Sequence, residues 1–184
     1  MKQVGVGILG FGTVGAGVAD GLLRNRAVMA ERLGVDIVLR KIADLDITTD
    51  RGVAVDQDIL TTDAQGVIAD PDVQIVVETI GGTGIAKTLV LAALNAGKAV
   101  VTANKKLLAE HGAEIFGTAA KNNVDIYFGA SVGGGIPIIR SVREGLAGNE
   151  IQQISGILNG TTNFILSKMI KDQKIGRASC RERV

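Results

Sequence analysis

Short apolar runs rich in β-branched residues alternate with longer helical stretches through the first two thirds of this chain. We expect strands over Val4–Leu9, Ile37–Ala43, Ile59–Thr61, Val73–Glu78, Ala99–Thr102 and Asp125–Phe128. We expect helices over Thr13–Leu33 (interrupted near Asn25), Asp63–Ala69, Ile85–Asn95 and Lys105–Asn122. Continuous apolar strands are typical of parallel strands that are buried on both faces. The alternation therefore predicts a doubly wound parallel α/β sheet.

The pattern changes after Phe128. A glycine-rich turn over Ser131–Pro137 leads into an expected helix over Ile138–Leu146. A strand of alternating character over Glu150–Leu158 follows, and then a helix that ends near Met169. Because alternation indicates a sheet with two different faces, we expect one domain over residues 1–130 and the start of a second, α+β domain over residues 131–173.

The charge balance gives no case for binding nucleic acid or an anionic membrane. The 184 residues carry a net charge of +1, but four of the 20 basic residues lie in the last eleven positions. Without that segment, 16 basic residues face 18 acidic ones. The segment, residues 174–184, has no apolar periodicity and resembles translated adapter sequence. We interpret it as a non-native tail; a natural basic tail is the alternative.

Cysteine and histidine usage excludes several kinds of site. Cys180 is the only cysteine and lies in that tail, so the body offers no disulfide, cysteine metal site or thiol nucleophile. His111 is the only histidine. No apolar run reaches the ~18–20 residues of a membrane span. The first residues show no signal-peptide pattern, so we expect a cytoplasmic protein with no membrane partner.

A glycine motif follows the first strand and opens the first helix. It matches the G-x-G-x-x-G pattern through Gly10, Phe11, Gly12, Thr13, Val14 and Gly15. In that context the first glycine allows a tight turn, the second lets the backbone approach a pyrophosphate, and the third permits close packing of helix and strand. The motif predicts a Rossmann-type dinucleotide site; a glycine-rich turn without a ligand is the alternative.

Asp44 ends the second strand, where an acidic residue would hydrogen-bond the adenosine ribose. It lies 29 residues beyond Gly15, farther than the usual spacing of about 20, and the Ala27–Gly34 extension accounts for the difference. A carboxylate here favours NAD, although Asp44 can also be read as a solvated loop acid. Three basic residues lie close enough to meet the 2′-phosphate of NADP instead: Arg40, Lys41 and Arg51. The choice between NAD and NADP stays open.

Two lysines begin the helix that follows the Ala99–Thr102 strand. A cation in the first turn opposes the helix dipole at a cost of about 0.3–1 kcal/mol, which favours an anion or polar ligand nearby. We take Lys105 as the functional lysine and expect Lys106 to face solvent. In the turn after the preceding strand, Ile80 and Gly81 would lie along a cofactor. An ordinary exposed lysine and a simple turn are the alternatives.

Five segments together resemble the homoserine dehydrogenase family in order and spacing, over about residues 1–173. They are Gly10–Gly15, Val76–Gly82, Val101–Lys105, Ala130–Pro137 and Gly156–Asn163, of which the last two are specific to that family. The resemblance implies NAD(P)-dependent interconversion of L-homoserine and L-aspartate 4-semialdehyde, in the biosynthesis of threonine, methionine and isoleucine. It implies that Lys105 is catalytic and lies where the nicotinamide meets the substrate.

The resemblance also implies roles for residues of the second domain, which binds substrate and forms a homodimer when full length. Substrate would meet Asn159, Gly160, Thr161 and Thr162. A sodium ion would be bound, through backbone carbonyls, by Val132, Gly134 and Ile136. Gly129 departs from the family pattern, since many members carry glutamate there. The alternative to the substrate site is a strand-to-helix turn capped by threonines. The alternative to the sodium site is a purely structural glycine turn.

Family residues that grip the substrate amine, and a second catalytic lysine, lie beyond residue 173. We therefore expect an N-terminal fragment that binds a dinucleotide but is inactive as written. A stand-alone dinucleotide-binding or sensing module is the alternative. A related aldehyde dehydrogenase is excluded because the body has no cysteine nucleophile.

Overall fold

The computed structural model describes residues 1–156 and 160–172. The chain divides into two compact units, Met1–Ser131 and Val132–Val184. The expected tail over residues 174–184 lies outside the described residues.

The first unit is built on a six-stranded parallel sheet with the strand order β3-β2-β1-β4-β5-β6. The strands are β1 (Lys2–Leu9), β2 (Val35–Ala43), β3 (Leu60–Thr61), β4 (Ile75–Glu78), β5 (Ala99–Thr102) and β6 (Ile126–Tyr127). This order confirms the doubly wound Rossmann-type sheet. The direction of winding reverses between β1 and β4, and ligands of such sheets bind outside the carboxyl ends of the strands at that point.

The helices of the first unit are α1 (Thr13–Arg24), α2 (Arg26–Leu33), α3 (Ala64–Ala69), α4 (Ile85–Asn95) and α5 (Lys105–Lys121). The long first helix is interrupted at Asn25, as expected, and becomes two helices; α2 ends at Gly34, whose φ of +69° is a left-handed cap. The extra helix α2 explains why Asp44 stands so far along the chain from the glycine motif.

The core lies on both faces of the sheet, because neighbouring residues of a strand point to opposite sides. On one face, Leu9 and Val76 pack in a cluster with residues of α4 and α5 such as Leu94 and Ile115. On the other, Ile8 and Val77 belong to the cluster that includes Ala16 and Ala19 of α1. Burial on both faces explains why these strands read as continuous apolar runs.

The described part of the second unit contains two helical segments. α6 (Ile138–Arg140) continues with π-type hydrogen bonding over Ser141–Gly145, and α7 spans Gly160–Asp172. The strand expected over Glu150–Leu158 is wrong for residues 150–156, which carry no regular structure; residues 157 and 158 lie outside the described residues. Ile151 and Ile154 are exposed there. A strand needs a neighbour to receive its hydrogen bonds, and the described part of this unit offers none.

In the part of the chain that the structure describes, none of the helices combines the length and apolarity needed to cross a membrane.

Candidate active site

Two glycines of the motif are required by close backbone approaches at the end of β1. Gly10 has a φ of +100°, and a Cβ there would lie 2.9 Å from the nitrogen of Ile80. A Cβ on Gly15 would lie 1.9 Å from the carbonyl oxygen of Gly10. The hydroxyl of Thr79 donates to the Gly10 carbonyl at 2.7 Å. The glycine turn is thus held directly against the turn that follows β4.

Gly12 differs from its neighbours because a Cβ there would meet no atom within 4 Å. Gly12 is the N-cap of α1 and brings no side chain to cap it. Among the described residues, the N–H groups of Gly12, Thr13, Val14 and Gly15 have no acceptor. Open space in front of unpaired N–H groups at a helix N-terminus fits the phosphates of a dinucleotide.

Phe11 contributes its backbone to the site, since its side chain is buried in the core. Its N–H donates to Oδ2 of Asp44, and Oδ1 of the same carboxylate accepts the N–H of Asp46 at 2.8 Å. Asp44 therefore joins the glycine turn to the loop after β2. It lines a cavity of about 320 Å³, whose other lining residues include Gly10, Gly12, Leu45, Thr62 and Ile80.

Two of the three basic residues considered for a 2′-phosphate have side chains that point away from the expected cofactor site. The Arg40 guanidinium donates to the side chain of Gln3, near the start of β1. The Lys41 ammonium lies 3.0 Å from the carboxylate of Asp70, before the start of β4. Both partners lie at the amino ends of the strands. Arg40 and Lys41 are therefore not placed to meet a cofactor at the carboxyl edge.

Arg51 lies nearer the carboxyl ends of the strands, where the cofactor is expected, but it is already paired with Asp46. Its guanidinium is 3.0 Å from a carboxylate oxygen of Asp46. Hydrogen bonds from Thr49 and Thr48 hold the pKa of the Asp46 carboxyl well below its usual range, so the carboxylate stays ionised. Arg51 and Thr13 both line a cleft of about 590 Å³ beside α1.

Glu78, at the end of β4, is a functional candidate that the sequence analysis did not single out. Its side chain is fully buried. Oε1 accepts the N–H groups of Ile80 at 2.9 Å and Gly81 at 3.1 Å, and Oε2 accepts the hydroxyl of Thr102 at 2.6 Å. No basic side chain pairs with it among the described residues. The sequence signal that could have identified Glu78 is an acidic residue at the end of an otherwise apolar strand.

Asn104 connects the same network to the start of α5. Its N–H donates to the Thr102 hydroxyl at 3.0 Å, and its side-chain oxygen caps the helix by accepting the N–H of Leu107 at 3.1 Å. Its side-chain amide donates to the carbonyl of Gly82 at 2.7 Å. The turn after β4 and the first turn of α5 are thereby joined.

Lys105 is the first residue of α5 and is exposed. It lines a cavity of about 260 Å³ together with Val14, Thr79, Gly81, Ala103, Asn104 and Lys106. No carboxylate pairs with Lys105 within the described ranges, whereas the Lys106 ammonium lies 3.8 Å from Glu110, one turn along. Thr79 lines both this cavity and the one beside Asp44. The expected cofactor residues therefore lie along adjoining depressions.

The residues expected to bind substrate and sodium belong to the second unit. Asn159 lies outside the described residues; Gly160, Thr161 and Thr162 form the first turn of α7 rather than a loop before it. The turn that contains Val132, Gly134 and Ile136 is shaped by Gly133 and Gly135, whose φ angles are +65° and +82°. The Ile136 N–H donates to the Gly133 carbonyl at 2.8 Å.

Two family models match this chain, and both describe homoserine dehydrogenase. The model of the homoserine dehydrogenase NAD-binding domain matches residues 10–129, and the homoserine dehydrogenase model matches residues 137–181. The second match extends into the segment expected to be a foreign tail, and that expectation stays a prediction. The homoserine dehydrogenase of Bacillus subtilis is 45% identical over 173 residues, which are 94% of this chain and 40% of that relative.

Solved structures agree. The crystal structure of a homoserine dehydrogenase from Thiobacillus denitrificans matches with a TM-score of 0.87 and 44% identity, over 95% of this chain and 40% of that one. A hyperthermophilic archaeal homoserine dehydrogenase in complex with NADPH matches with a TM-score of 0.77 and 28% identity, over 98% of this chain and 60% of that one. The chain thus spans about 40% of the length of the curated relative and of the first of these structures. It belongs to the homoserine dehydrogenase family and carries that family's NAD-binding domain.

Proposed function

We propose that this chain binds NAD or NADP across the carboxyl edge of its sheet. The observation that carries the proposal is the start of α1, where Gly12 leaves open space in front of N–H groups that have no acceptor in the described part of the chain. Phosphates would lie there because the N–H groups and the helix dipole both favour an anion. Asp44 would meet the adenosine ribose, and Ile80 would lie along the cofactor in the same cavity. Gly81 would lie along the nicotinamide half, beside Lys105.

For the whole protein we propose interconversion of L-homoserine and L-aspartate 4-semialdehyde. When bound, the nicotinamide cofactor supplies or accepts the hydride. Lys105 faces a cavity that Val14 and Gly81 also line, and no described carboxylate neutralises its ammonium. It would hold the substrate oxygen and supply or remove the proton that accompanies the hydride. Thr161 and Thr162 would contact the substrate.

Within this proposal, NAD is the preferred dinucleotide. A 2′-phosphate needs an unneutralised base at the ribose, and Arg40 and Lys41 are held at the opposite edge of the sheet. The Arg51 guanidinium is neutralised by Asp46. Among the described residues no base pairs with Asp44, so its charge beside the expected ribose position disfavours a further phosphate.

We also propose the domain bounds, the homodimer and the sodium site that the sequence analysis predicts. Residues 1–130 form the cofactor domain, and residues 131–173 begin a domain that binds substrate and mediates a homodimer in the full-length, cytoplasmic enzyme. A sodium ion would bind the backbone carbonyls of Val132, Gly134 and Ile136. The carbonyls of Val132 and Gly134 accept no backbone hydrogen bond from described residues, which suits that role, whereas the Ile136 carbonyl accepts the N–H of Ile138 at 2.8 Å.

The test is a titration of the purified chain with NAD and NADP separately, followed by an assay for homoserine-dependent reduction of each. We expect saturable binding, tighter for NAD, and no turnover by this chain. Failure to bind either dinucleotide would refute the proposal.

Lys105→Ala separates the enzyme from a stand-alone binding module. In a full-length protein that carries these residues, the substitution should lower the rate of homoserine oxidation at least 100-fold. Lys121→Ala, which removes a lysine from the last turn of the same helix, is the matched control. Turnover by the 184-residue chain that Lys105→Ala abolishes would exclude the binding module and also overturn our expectation that this chain is inactive.

A further inference from the structure

Glu78 is a buried carboxylate that lines none of the three cavities described above, although the groups that it binds line two of them. Ile80 lines the cavity beside Asp44, and Gly81 lines the cavity beside Lys105. We propose that Glu78 is a positioning residue that holds the turn after β4 and the start of α5 in the arrangement required by the nicotinamide half of the cofactor. This inference rests on the proposed dinucleotide binding.

The arrangement of donors explains why a carboxylate is needed at this position. Glu78 receives two backbone N–H groups on one oxygen and the Thr102 hydroxyl on the other. A carboxylate accepts on both oxygens, whereas a glutamine amide would present N–H groups at one of the two positions. The bond from the Thr102 hydroxyl is 2.6 Å long, at the short end of the range for bonds between oxygens.

Thr102 carries the effect of Glu78 to the lysine-bearing helix. Its hydroxyl proton is used in the bond to Glu78, so its oxygen is free to accept the N–H of Asn104 at 3.0 Å. Asn104 in turn caps α5 immediately before Lys105. One directional series of hydrogen bonds therefore runs from the helix cap through Thr102 to Glu78.

The Gly82 carbonyl closes this network into a ring, because it accepts the side-chain amide of Asn104 at 2.7 Å. The turn after β4 is consequently held at both ends, by Glu78 at Ile80 and Gly81 and by Asn104 at Gly82. Movement of this turn would displace one wall of the cavity that Lys105 faces. The glycine turn is joined to the turn after β4 through Thr79, which is not a member of the ring. Asp44 makes its hydrogen bonds to Phe11 and Asp46 and not to the ring, so the adenosine end of the site would be affected less.

The test compares the affinity for NAD with the affinity for ADP, which has the diphosphate and adenosine but no nicotinamide. In the 184-residue chain, Thr102→Val removes the hydroxyl with little change in shape, and Glu78→Gln removes one of the two acceptors. We expect each to weaken NAD binding about tenfold and ADP binding at most about threefold, because Ile80 lines the cavity beside Asp44 whereas Gly81 lines the cavity beside Lys105. Thr118→Val, which removes a hydroxyl bonded within α5 to Glu114, is the matched control.

Two further variants make the result decisive. Thr102→Ser restores the hydroxyl and should recover most of the affinity that Thr102→Val loses. The double variant Glu78→Gln/Thr102→Val should bind NAD no less tightly than the single variant with the lower affinity, because both substitutions act on the same bond. Additive losses, or equal losses for NAD and ADP, would overturn the proposal, since they would indicate independent or general damage to the fold.

Amide hydrogen exchange without ligand tests the positioning separately from cofactor binding. The N–H groups of Ile80 and Gly81 should exchange at least tenfold faster in Glu78→Gln and Thr102→Val than in the parent chain. Unchanged exchange would overturn the positioning role even if binding fell. If the parent chain bound neither NAD nor ADP, the proposed function would fail, while the exchange rates would still decide the role of Glu78.

Discussion

Replacing Gly12 by serine should make the fold more stable and the dinucleotide site weaker. Gly12 has φ −69° and ψ −166°, which is the extended conformation of an N-cap residue and is open to any L-amino acid. A Cβ at this position would meet no protein atom within 4 Å. Serine would therefore be accepted without strain, and its hydroxyl would reach the N–H of Val14 or Gly15 as an N-cap does.

The two effects can be estimated separately. A serine N-cap exceeds glycine by a few tenths of a kcal/mol, and loss of glycine's freedom in the unfolded chain adds about 0.4–1 kcal/mol. Together they give a gain of about 0.6–1.3 kcal/mol, or a rise in Tm of roughly 1–5 °C. In the complex the hydroxyl would take an N–H meant for a phosphate, and the Cβ would enter the phosphate space. Losing one or two charge-assisted hydrogen bonds of about 1.5–3 kcal/mol each should weaken NAD binding at least tenfold.

The assay pairs thermal unfolding without ligand with isothermal titration by NAD. Gly21→Ala is the control, since Gly21 also lies in α1 and its Cβ would meet nothing within 4 Å. The control should raise stability by about 0.8–1 kcal/mol and leave NAD affinity within twofold of the parent. The reasoning would be refuted by a Gly12→Ser chain that is more stable and still binds NAD as the parent does.

Three further substitutions test other parts of the fold and of the site. Gly15→Ala would place a Cβ 1.9 Å from the Gly10 carbonyl oxygen, so we expect a loss of at least about 2 kcal/mol in the free energy of unfolding; an unchanged urea midpoint would contradict this. Asp46→Asn removes the charge that neutralises Arg51, and the ratio of NADP to NAD affinity should rise about tenfold; a constant ratio would show that Arg51 does not meet the 2′-phosphate. A backbone N–H and a lysine keep the pKa of Asp70 below its usual range, so its charged form stabilises the fold above about pH 4 and that contribution is lost as the pH falls. Asp70→Asn should accordingly reduce the fall in Tm between about pH 5 and pH 2.5, and an unaltered pH profile would disprove this role.

The parts of the fold that could be predicted are those with a local cause. Continuous β-branched runs indicate buried parallel strands, and the glycine motif at the junction of strand and helix indicates the dinucleotide turn. The interruption at Asn25 could also be predicted, because that part of the expected helix has a weaker pattern. In each case the neighbouring residues decide the conformation.

The strand expected over Glu150–Leu158 shows where local pattern is insufficient. Ile151 and Ile154 alternate as they would in a strand, yet residues 150–156 form none, because alternation does not supply the neighbouring strand that must accept the hydrogen bonds. The role of Glu78 was missed for a related reason. Its partner Thr102 is 24 residues away, and nothing in the local sequence shows that the two side chains meet.

The register of the sheet explains why these distant residues form one site. Leu9 is paired with Glu78, and Glu78 with Thr102, so the last paired residues of β1, β4 and β5 form a single row. The residue after each of them, which is Gly10, Thr79 or Ala103, consequently enters the same crevice. Since a shift of one residue in β4 would turn the Glu78 side chain to the opposite face, the buried carboxylate and the cofactor turn depend on the same register. Strand ends can be predicted separately from sequence, but only their alignment brings the glycine turn, the turn after β4 and Lys105 together.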